Sequence, residues 1–407
     1  MKKIKYNKLV LKIIFALGVL FLAFYSGYGY GSKYGRIKNA PSDIINADGS
    51  QESIDFGLFW QTWNKARELY IGKSDSKEMF YGAVSGMVAS LGDPYTVFLR
   101  PQDNEDLASD LSGKFDGIGA ELTDENGQIV VISPLSGSPA EQAGIKPKDI
   151  ILEIDGQSTE KMAIDTAVRK IRGKAGTEVK LKIRHVNQQD AIEIKVVRAS
   201  IKVDSVSYKL ETISGKKIAV LKVSQFGDDT MALANKYVGE MKSAGAEGII
   251  IDLRNNPGGY LDTSVSFSNL FLKKGAVVLK EVDKNGQITE YKANNETSVP
   301  NLPIVILVNN GSASAAEIVA GAMKDNHRAE IIGEKTFGKG SVQQLEPLTG
   351  GAALKVTIAK WLTPAGSEIN QIGLSPDITI SLTEQDKLQG TDIQLEKAKS
   401  EIISKLK

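Results

Sequence analysis

Residues 308–343 read VNNGSASAAEIVAGAMKDNHRAEIIGEKTFGKGSVQ, and the fold of the larger part of the chain turns on them. An apolar run at 303–308 leads into a turn of small residues, Gly311-Ser312-Ala313-Ser314-Ala315. A helical pattern follows, with Ile318, Val319, Ala322 and Met323 on one face. The β-branched pair Ile331-Ile332 and a glycine-bracketed lysine, Gly338-Lys339-Gly340, come next. A hydroxyl at the start of a helix sits where N–H groups point outward and the helix dipole favours negative charge. An oxyanion forming there finds donors already aimed. The same residues, Ser314-Ala315-Ala316-Glu317, also read as a capping box that satisfies orphan N–H groups.

Outward from this stretch, residues 201–385 keep a mixed α/β rhythm. Strand patterns at 217–223, 248–253 and 304–308 alternate with helix patterns at 232–241 and 264–271. Strand–turn–helix repeats of this kind predict crossover connections and a partly parallel sheet. Two turns, Asn256-Pro257-Gly258-Gly259 and Gly311-Ser312-Ala313-Ser314-Ala315, follow successive inner strands. Both are expected at the carboxyl edge of the sheet, where sites in open α/β folds collect.

Composition narrows the chemistry. The chain has 407 residues, 42% hydrophobic and 24% charged, with a formal net charge of +1, so it is ordinary globular material of two to three domains. No basic stripe interleaved with aromatics marks a nucleic-acid surface. The absence of cysteine excludes disulfides, a thiol nucleophile and thiolate metal sites. Only His185 and His327 occur. They are not at ligand spacing and no H-E-x-x-H is present, which disfavours a zinc hydrolase. A Ser-His-Asp triad would need one of the two, and neither has supportive neighbours. Gly333-x-x-x-x-Gly338-Lys339 imitates a phosphate-binding loop. Gly340 stands where the magnesium-binding hydroxyl belongs, and the segment comes late in its domain, so nucleotide binding is not expected. Neither cofactor nor metal is expected.

The N-terminus carries Lys2, Lys3, Lys5 and Lys8, and residues 13–30 are uncharged. That is about the ~18–20 residues of a membrane span, with the positive flank held in the cytoplasm and the remainder outside. A signal segment cut near Gly27-x-Gly29 is the competing reading, without a clean A-x-A motif. Residues 33–52 read as a linker, and 53–111 as a helical unit in which Trp60 and Trp63 are core or a contact with another subunit. A homo-oligomer is left open. Residues 386–407 read as an amphipathic C-terminal helix that docks on the core or on a partner.

Residues 112–200 carry Gly117-Ile118-Gly119-Ala120, Ser138-Pro139-Ala140-Glu141-Gln142-Ala143-Gly144 and Asp149-Ile150-Ile151-Leu152-Glu153-Ile154-Asp155-Gly156. Their order and identity resemble a PDZ domain. A glycine-rich loop before an edge strand can offer N–H groups to a carboxylate while the strand accepts an extended peptide.

With Leu91-Gly92-Asp93-Pro94-Tyr95-Thr96, Asp252-Leu253-Arg254-Asn255-Asn256-Pro257-Gly258-Gly259, Thr336-Phe337-Gly338-Lys339-Gly340 and Gly373-Leu374-Ser375-Pro376-Asp377 added, the chain resembles the carboxyl-terminal processing peptidases, or tail-specific proteases, over about residues 55–385. The resemblance implies an α/β multidomain chain: a mixed α/β peptidase core at 201–385 with an inserted PDZ domain at 112–200 (β-rich, two helices). The N-terminal helical unit precedes it, after a single transmembrane helix or signal segment at 1–32. It implies a serine endopeptidase with a Ser-Lys dyad: Ser314 as nucleophile, Lys339 as base and Gln343 as supporting amide. The oxyanion hole would come from Ala315 with Gly258 or Gly259, and the PDZ loop at Gly117, Ile118, Gly119 and Ala120 would bind peptide. Ala316 stands where many relatives have serine. Protein substrates with apolar C-termini, cut outside the cytoplasm near those ends, complete the expectation, against an inactive PDZ adaptor as the alternative. The chemistry is coherent on its own terms, since an ordinary lysine, pKa ~10.4, is protonated at neutral pH. Burial would have to lower that pKa to make a base.

Overall fold

The computed structural model describes residues 44–45, 51–52, 56–186, 188–383, 386 and 390–406. The apolar segment at 13–30 lies outside these. Among the described residues no helix is long and apolar enough to cross a membrane. The chain divides into two units after Ala83. In the first, helix Gly57–Leu69 has no buried residue, and Trp60 is 50% exposed. Its ring meets Phe59 and Trp63 edge-on, with centroids 5.1 and 6.1 Å away. The expected core role of Trp60 is therefore not met; aromatic side chains here pack along one helix face.

In the second unit, helix Pro101–Ser112 leads into a two-stranded ribbon, Lys114–Gly117 against Ala199–Lys202. The chain between the ribbon's strands forms an antiparallel sheet ordered Ile192–Val197, Glu178–Arg184, Ile150–Ile154, Gln128–Pro134, Ala120–Glu125. Alternating residues, Val179, Leu181 and Ile183 among them, enter a core of their own with Ala167 and Ile171 of helix Ile164–Ile171. Ala120–Glu125 is one of the two edge strands, Ile192–Val197 being the other, and an edge strand can accept another strand.

The larger body is built on a six-stranded sheet ordered Val206–Ile213, Lys216–Val223, Gly248–Asp252, Ile304–Val308, Glu330–Gly333, Ile378–Thr379. The first pair is antiparallel and the rest are parallel. All five residues of Gly248–Asp252 and of Ile304–Val308 are buried, as strands covered on both faces require. Ile249, Ile251, Ile304 and Ile306 face helices Thr230–Ser243, Leu261–Ser268 and Ala315–Asp325. Ile250, Val305 and Leu307 face the other way, onto Ala398 and Ile402 of the C-terminal helix Ile393–Ser404. That helix docks on its own chain. Gly248 makes the close fit possible, since a Cβ there would lie 2.7 Å from Ile402 Cγ1. A second sheet, Ile288–Lys292, Val277–Asp283, Ala353–Leu362, Ser341–Pro347, receives the short strand Val97–Leu99 alongside Ala353–Leu362.

Candidate active site

Parallel order sends the ends of Gly248–Asp252 and Ile304–Val308 to one edge, and the two glycine turns meet there. Asn255 N–H donates to Asn309 Oδ1 at 2.8 Å, and Asn309 Nδ2 returns a bond to Asn255 Oδ1 at 2.8 Å. Ser312, fully buried, donates from Oγ to Leu253 O at 2.8 Å. Ala313 N–H reaches Asn256 O at 2.9 Å. Ser312 is thus a staple between the turns. Gly258 lies so close that a Cβ there would be 2.8 Å from Ser314 Cβ, and its φ of 105° independently favours glycine.

Ser314 caps helix Ala315–Asp325 with φ 53° and ψ −115°, a conformation that costs a non-glycine residue free energy and is found where surroundings enforce it. The enforcing group is Glu317. Fully buried, its Oε2 accepts from Ser314 N–H and from Lys339 N–H, each at 2.9 Å. Its Oε1 accepts from Gly338 N–H at 2.7 Å and from Thr336 Oγ1. The peptide nitrogens of Ser314 and Lys339, twenty-five positions apart in sequence, therefore lie within two hydrogen-bond lengths of each other. The capping box of the sequence is present in part, but its glutamate also ties the hydroxyl-bearing turn to the lysine loop.

The lysine loop has no room for side chains on its glycines. A Cβ on Gly338 would come 2.8 Å from Gly373 N, and one on Gly340 2.7 Å from Asn370 N. Trp361, buried, donates from Nε1 to Lys339 O at 3.1 Å. Lys339 is half-buried, with Nζ 5.1 Å from the centre of the Tyr95 ring. Among the described residues no carboxylate forms an ion pair with it. Burial, aided by the charge of Lys355, lowers the Lys339 pKa, while Asp93 and Glu317 pull the other way without reversing it. The residue after the loop begins strand Ser341–Pro347, not a helix, so a phosphate-binding loop is ruled out by its own geometry.

Ser314, Ala315, Gly258, Gly259, Lys339 and Gln343 line one cavity of about 370 Å³. Gly258 N–H is already donated to Asn256 Oδ1 at 2.8 Å. Ala315 N–H and Gly259 N–H have no internal partner among the described residues. Gln343 makes its hydrogen bonds to Ser341 Oγ at 2.8 Å and Thr357 Oγ1 at 3.3 Å. Neither histidine lines the cavity. His327 is exposed in a turn, and His185 pairs with buried Asp149 at 2.7 Å. The other predicted residues, Gly117, Ile118, Gly119 and Ala120, lie in the antiparallel domain. There Ile118 and Gly119 N–H groups are without a partner among the described residues, and Gly119, φ 72°, passes so close to Ser138 that a Cβ would clash at 2.6 Å.

Sequence reasoning missed Thr336 and Asp93, and it read Glu317 only as a cap. The spacing S-x-x-E was visible; what it lacked was the lysine loop folding back onto the same carboxylate. This constellation offers a hydroxyl on a strained helix start, a half-buried amine with a lowered pKa and N–H donors beside both. Proton abstraction from the hydroxyl and stabilisation of an oxyanion are within its means.

The comparisons agree with this architecture. Residues 217–380 match peptidase family S41, residues 108–184 a PDZ domain, and residues 23–103 the activating protease CtpB N-terminal domain. The chain is 37% identical over 333 residues to the carboxy-terminal processing protease CtpA of Bacillus subtilis (strain 168), spanning 81% of this chain and 70% of that one. It is 40% identical over 320 residues to a probable CtpA-like serine protease of Staphylococcus aureus (strain N315), covering 78% of this chain and 63% of the relative. It therefore spans less than two thirds of that relative's length. Among solved structures, a photosystem II D1 C-terminal processing protease matches with TM-score 0.52 at 29% identity, over 80% of this chain and 88% of that one. A putative S41 protease from Bacteroides fragilis, TM-score 0.57 at 16% identity over 86% and 97% of the two chains, shares the fold. With two thirds of the Bacillus relative covered at this identity, the chain belongs to peptidase family S41, in its PDZ-bearing, CtpA-like branch.

Proposed function

We propose that this chain is a serine endopeptidase that cleaves proteins near their C-termini with Ser314 as nucleophile and Lys339 as general base. One observation carries the reading: a serine at a strained helix start and a lysine of lowered pKa share one cavity and one buried carboxylate. As Ser314 Oγ bonds to the scissile carbonyl carbon, its proton passes to neutral Lys339 Nζ. The carbonyl oxygen takes the charge, facing Ala315 N–H and a glycine of the 258–259 turn. Collapse breaks the C–N bond, and Lys339 returns the proton to the leaving amine. Water, deprotonated by the same amine, then attacks the acyl ester; the bond to Ser314 Oγ breaks, Lys339 passes the proton to that oxygen, and the acyl group leaves as a new C-terminal carboxyl. Gln343, an amide, can orient the amine without the charge that a carboxylate would add.

The PDZ domain would take the substrate's apolar tail along the edge strand Ala120–Glu125, with the carboxylate at the Gly117–Ala120 loop. Strand addition and partnerless N–H groups support this. The lysine-flanked apolar segment at 13–30 supports a single-pass anchor with the catalytic part extracytoplasmic. The test incubates residues 33–407, beside Ser314→Ala and Lys339→Ala variants, with an unfolded protein ending in apolar residues, and reads fragments by mass spectrometry. Cleavage by the parent and by neither variant is expected. Tail binding without cleavage would support the adaptor alternative, and normal turnover by Lys339→Ala would refute the dyad.

A further inference from the structure

The turn Gly92-Asp93-Pro94-Tyr95-Thr96 stands far from the dyad in sequence, yet the register of the second sheet delivers it there. Val97–Leu99 pairs with Ala353–Leu362 so that Val97 is opposite Lys355, and Thr357 on the same strand is opposite Gln343. The residues just before Val97 are therefore brought beside Thr357. Thr357 N–H donates to Thr96 Oγ1 at 3.0 Å, and Thr96 Oγ1 donates to Asp93 Oδ2 at 2.5 Å. Thr357 Oγ1 donates to the same Asp93 oxygen at 2.5 Å, and Tyr95 N–H to Asp93 Oδ1 at 3.1 Å.

Donor and acceptor counting gives this chain a direction. A carboxylate only accepts, and a threonine hydroxyl has one proton. With that proton committed to Asp93, Thr357 Oγ1 can only accept from Gln343, so the Gln343 amide must turn its NH2 toward Thr357. Its second N–H goes to Ser341 Oγ. The atom left over is Oε1, which has no partner among the described residues and belongs to a side chain lining the Lys339 cavity. Asp93 also holds the backbone of Tyr95, whose ring lies 5.1 Å from Lys339 Nζ, within reach of a cation–π attraction.

We propose that Asp93 is a positioning residue for the Lys339 base: through Thr357 it fixes the Gln343 amide with its oxygen available to the amine, and through Tyr95 it sets an aromatic face over it. The assignment rests on the Ser-Lys reading above. An oxygen and a ring face both favour the ammonium that Lys339 becomes on taking the Ser314 proton. No ion pair forms with Lys339 among the described residues, so the amine is not locked in its charged form at rest. Burial by itself would raise the Asp93 pKa. Hydrogen bonds from Thr357, Thr96 and the backbone of Tyr95 and Thr96 outweigh it and hold Asp93 below the ordinary carboxylate range, so the acceptor persists at working pH. The charges bearing on Lys339 are Lys355 on the neighbouring strand, Glu317 on the nucleophile helix and Asp93 itself. Asp110 and Tyr260 line the same cavity.

The test uses the full chain with Asp93→Asn, Thr357→Val and the double variant. Turnover of a peptide with an apolar C-terminus is followed across pH, and the Lys339 amine is titrated separately by pH-dependent acetylation read by mass spectrometry. An asparagine can donate toward Thr357, which frees the chain to reverse and lets Gln343 present NH2 to the amine. The expected result is a kcat loss of about 10- to 100-fold, at or below the low end of the roughly 100- to 10,000-fold that a general base contributes, because the base is misaimed and not removed, with KM within about twofold. Thr357→Val should lose a similar factor, and the double variant no more than the worse single, because both cut one chain. Since Asp93 raises the Lys339 pKa, its neutralisation should move the acid limb of kcat/KM, and the acetylation midpoint, to lower pH. Multiplicative losses in the double variant, or a midpoint that stays or rises, would overturn the proposal. If Asp93→Asn fails to fold, Thr357→Val alone decides by its kcat. A parent chain that neither cleaves nor acylates Ser314 refutes the peptidase reading instead, and the acetylation midpoint still reports on Asp93.

Discussion

Replacing Glu317 by glutamine keeps size and shape and changes one oxygen into a donor. Four donors converge on this carboxylate, two on each oxygen. If the new NH2 takes the Oε2 position, Ser314 N–H and Lys339 N–H both lose their acceptor. If it takes the Oε1 position, Thr336 Oγ1, which also accepts from Leu374 N–H at 2.7 Å, can receive it, but its own proton loses the acceptor it had in Glu317 and must rotate away, while Gly338 N–H, fixed in the backbone, is orphaned. The second flip is cheaper. One buried orphan donor costs about 1–3 kcal/mol, and loss of charge-assisted bonds at the remaining sites adds to that. A total near ~3 kcal/mol lowers the melting temperature by roughly 6–12 °C. The lysine loop then loses an anchor next to Lys339, and a displacement of about 1 Å costs on the order of 100-fold in rate. Thermal unfolding by circular dichroism and kcat on one peptide measure both. A Glu317→Gln protein that melts within about 2 °C of the parent and turns over normally would show that the carboxylate is only a helix cap.

Lys355 lowers the Lys339 pKa, so Lys355→Met should raise it and move the acid limb of kcat/KM toward higher pH, opposite to Asp93→Asn; a limb that stays put refutes the electrostatic link. Gly258→Ala places a methyl 2.8 Å from Ser314 Cβ at φ 105°, so turnover should fall at least about 100-fold, against a melting temperature measured in parallel; retained activity would mean that the turn has slack. Arg254 bridges Asp252 at 2.7 Å and Asp392, the cap of the C-terminal helix, at 2.8 Å. Arg254→Met should destabilise by about 3–5 kcal/mol, because it leaves Asp252 charged and buried, with faster hydrogen exchange in Ile393–Ser404; unchanged exchange there would detach the helix from this clamp.

How far the fold could be read in advance follows from the range of the forces involved. Strands 248–253 and 304–308 were legible because a continuous apolar run between turn signals is what burial on both faces demands. The glycines of the lysine loop were legible too, since close backbone approach excludes every other residue and leaves a mark in the sequence. The exposure of Trp60 was not, because an aromatic stripe looks the same whether or not anything covers it. Whether the C-terminal helix docks on its own sheet was equally silent until Gly248 and Ile402 met. In the site, Ser314 and Lys339 declared themselves by type and context. The groups that aim them did not. Glu317 looked like a cap because three of its four partners come from a loop about twenty residues later, and Asp93 looked like turn chemistry because its partner Thr357 lies 264 positions away. A carboxylate's pattern of acceptance is written in where the donors end up, which register and topology decide. The groups proposed to do the chemistry are therefore more visible in a sequence than the polar residues proposed to aim them, and those are the residues at which Glu317→Gln and Asp93→Asn act.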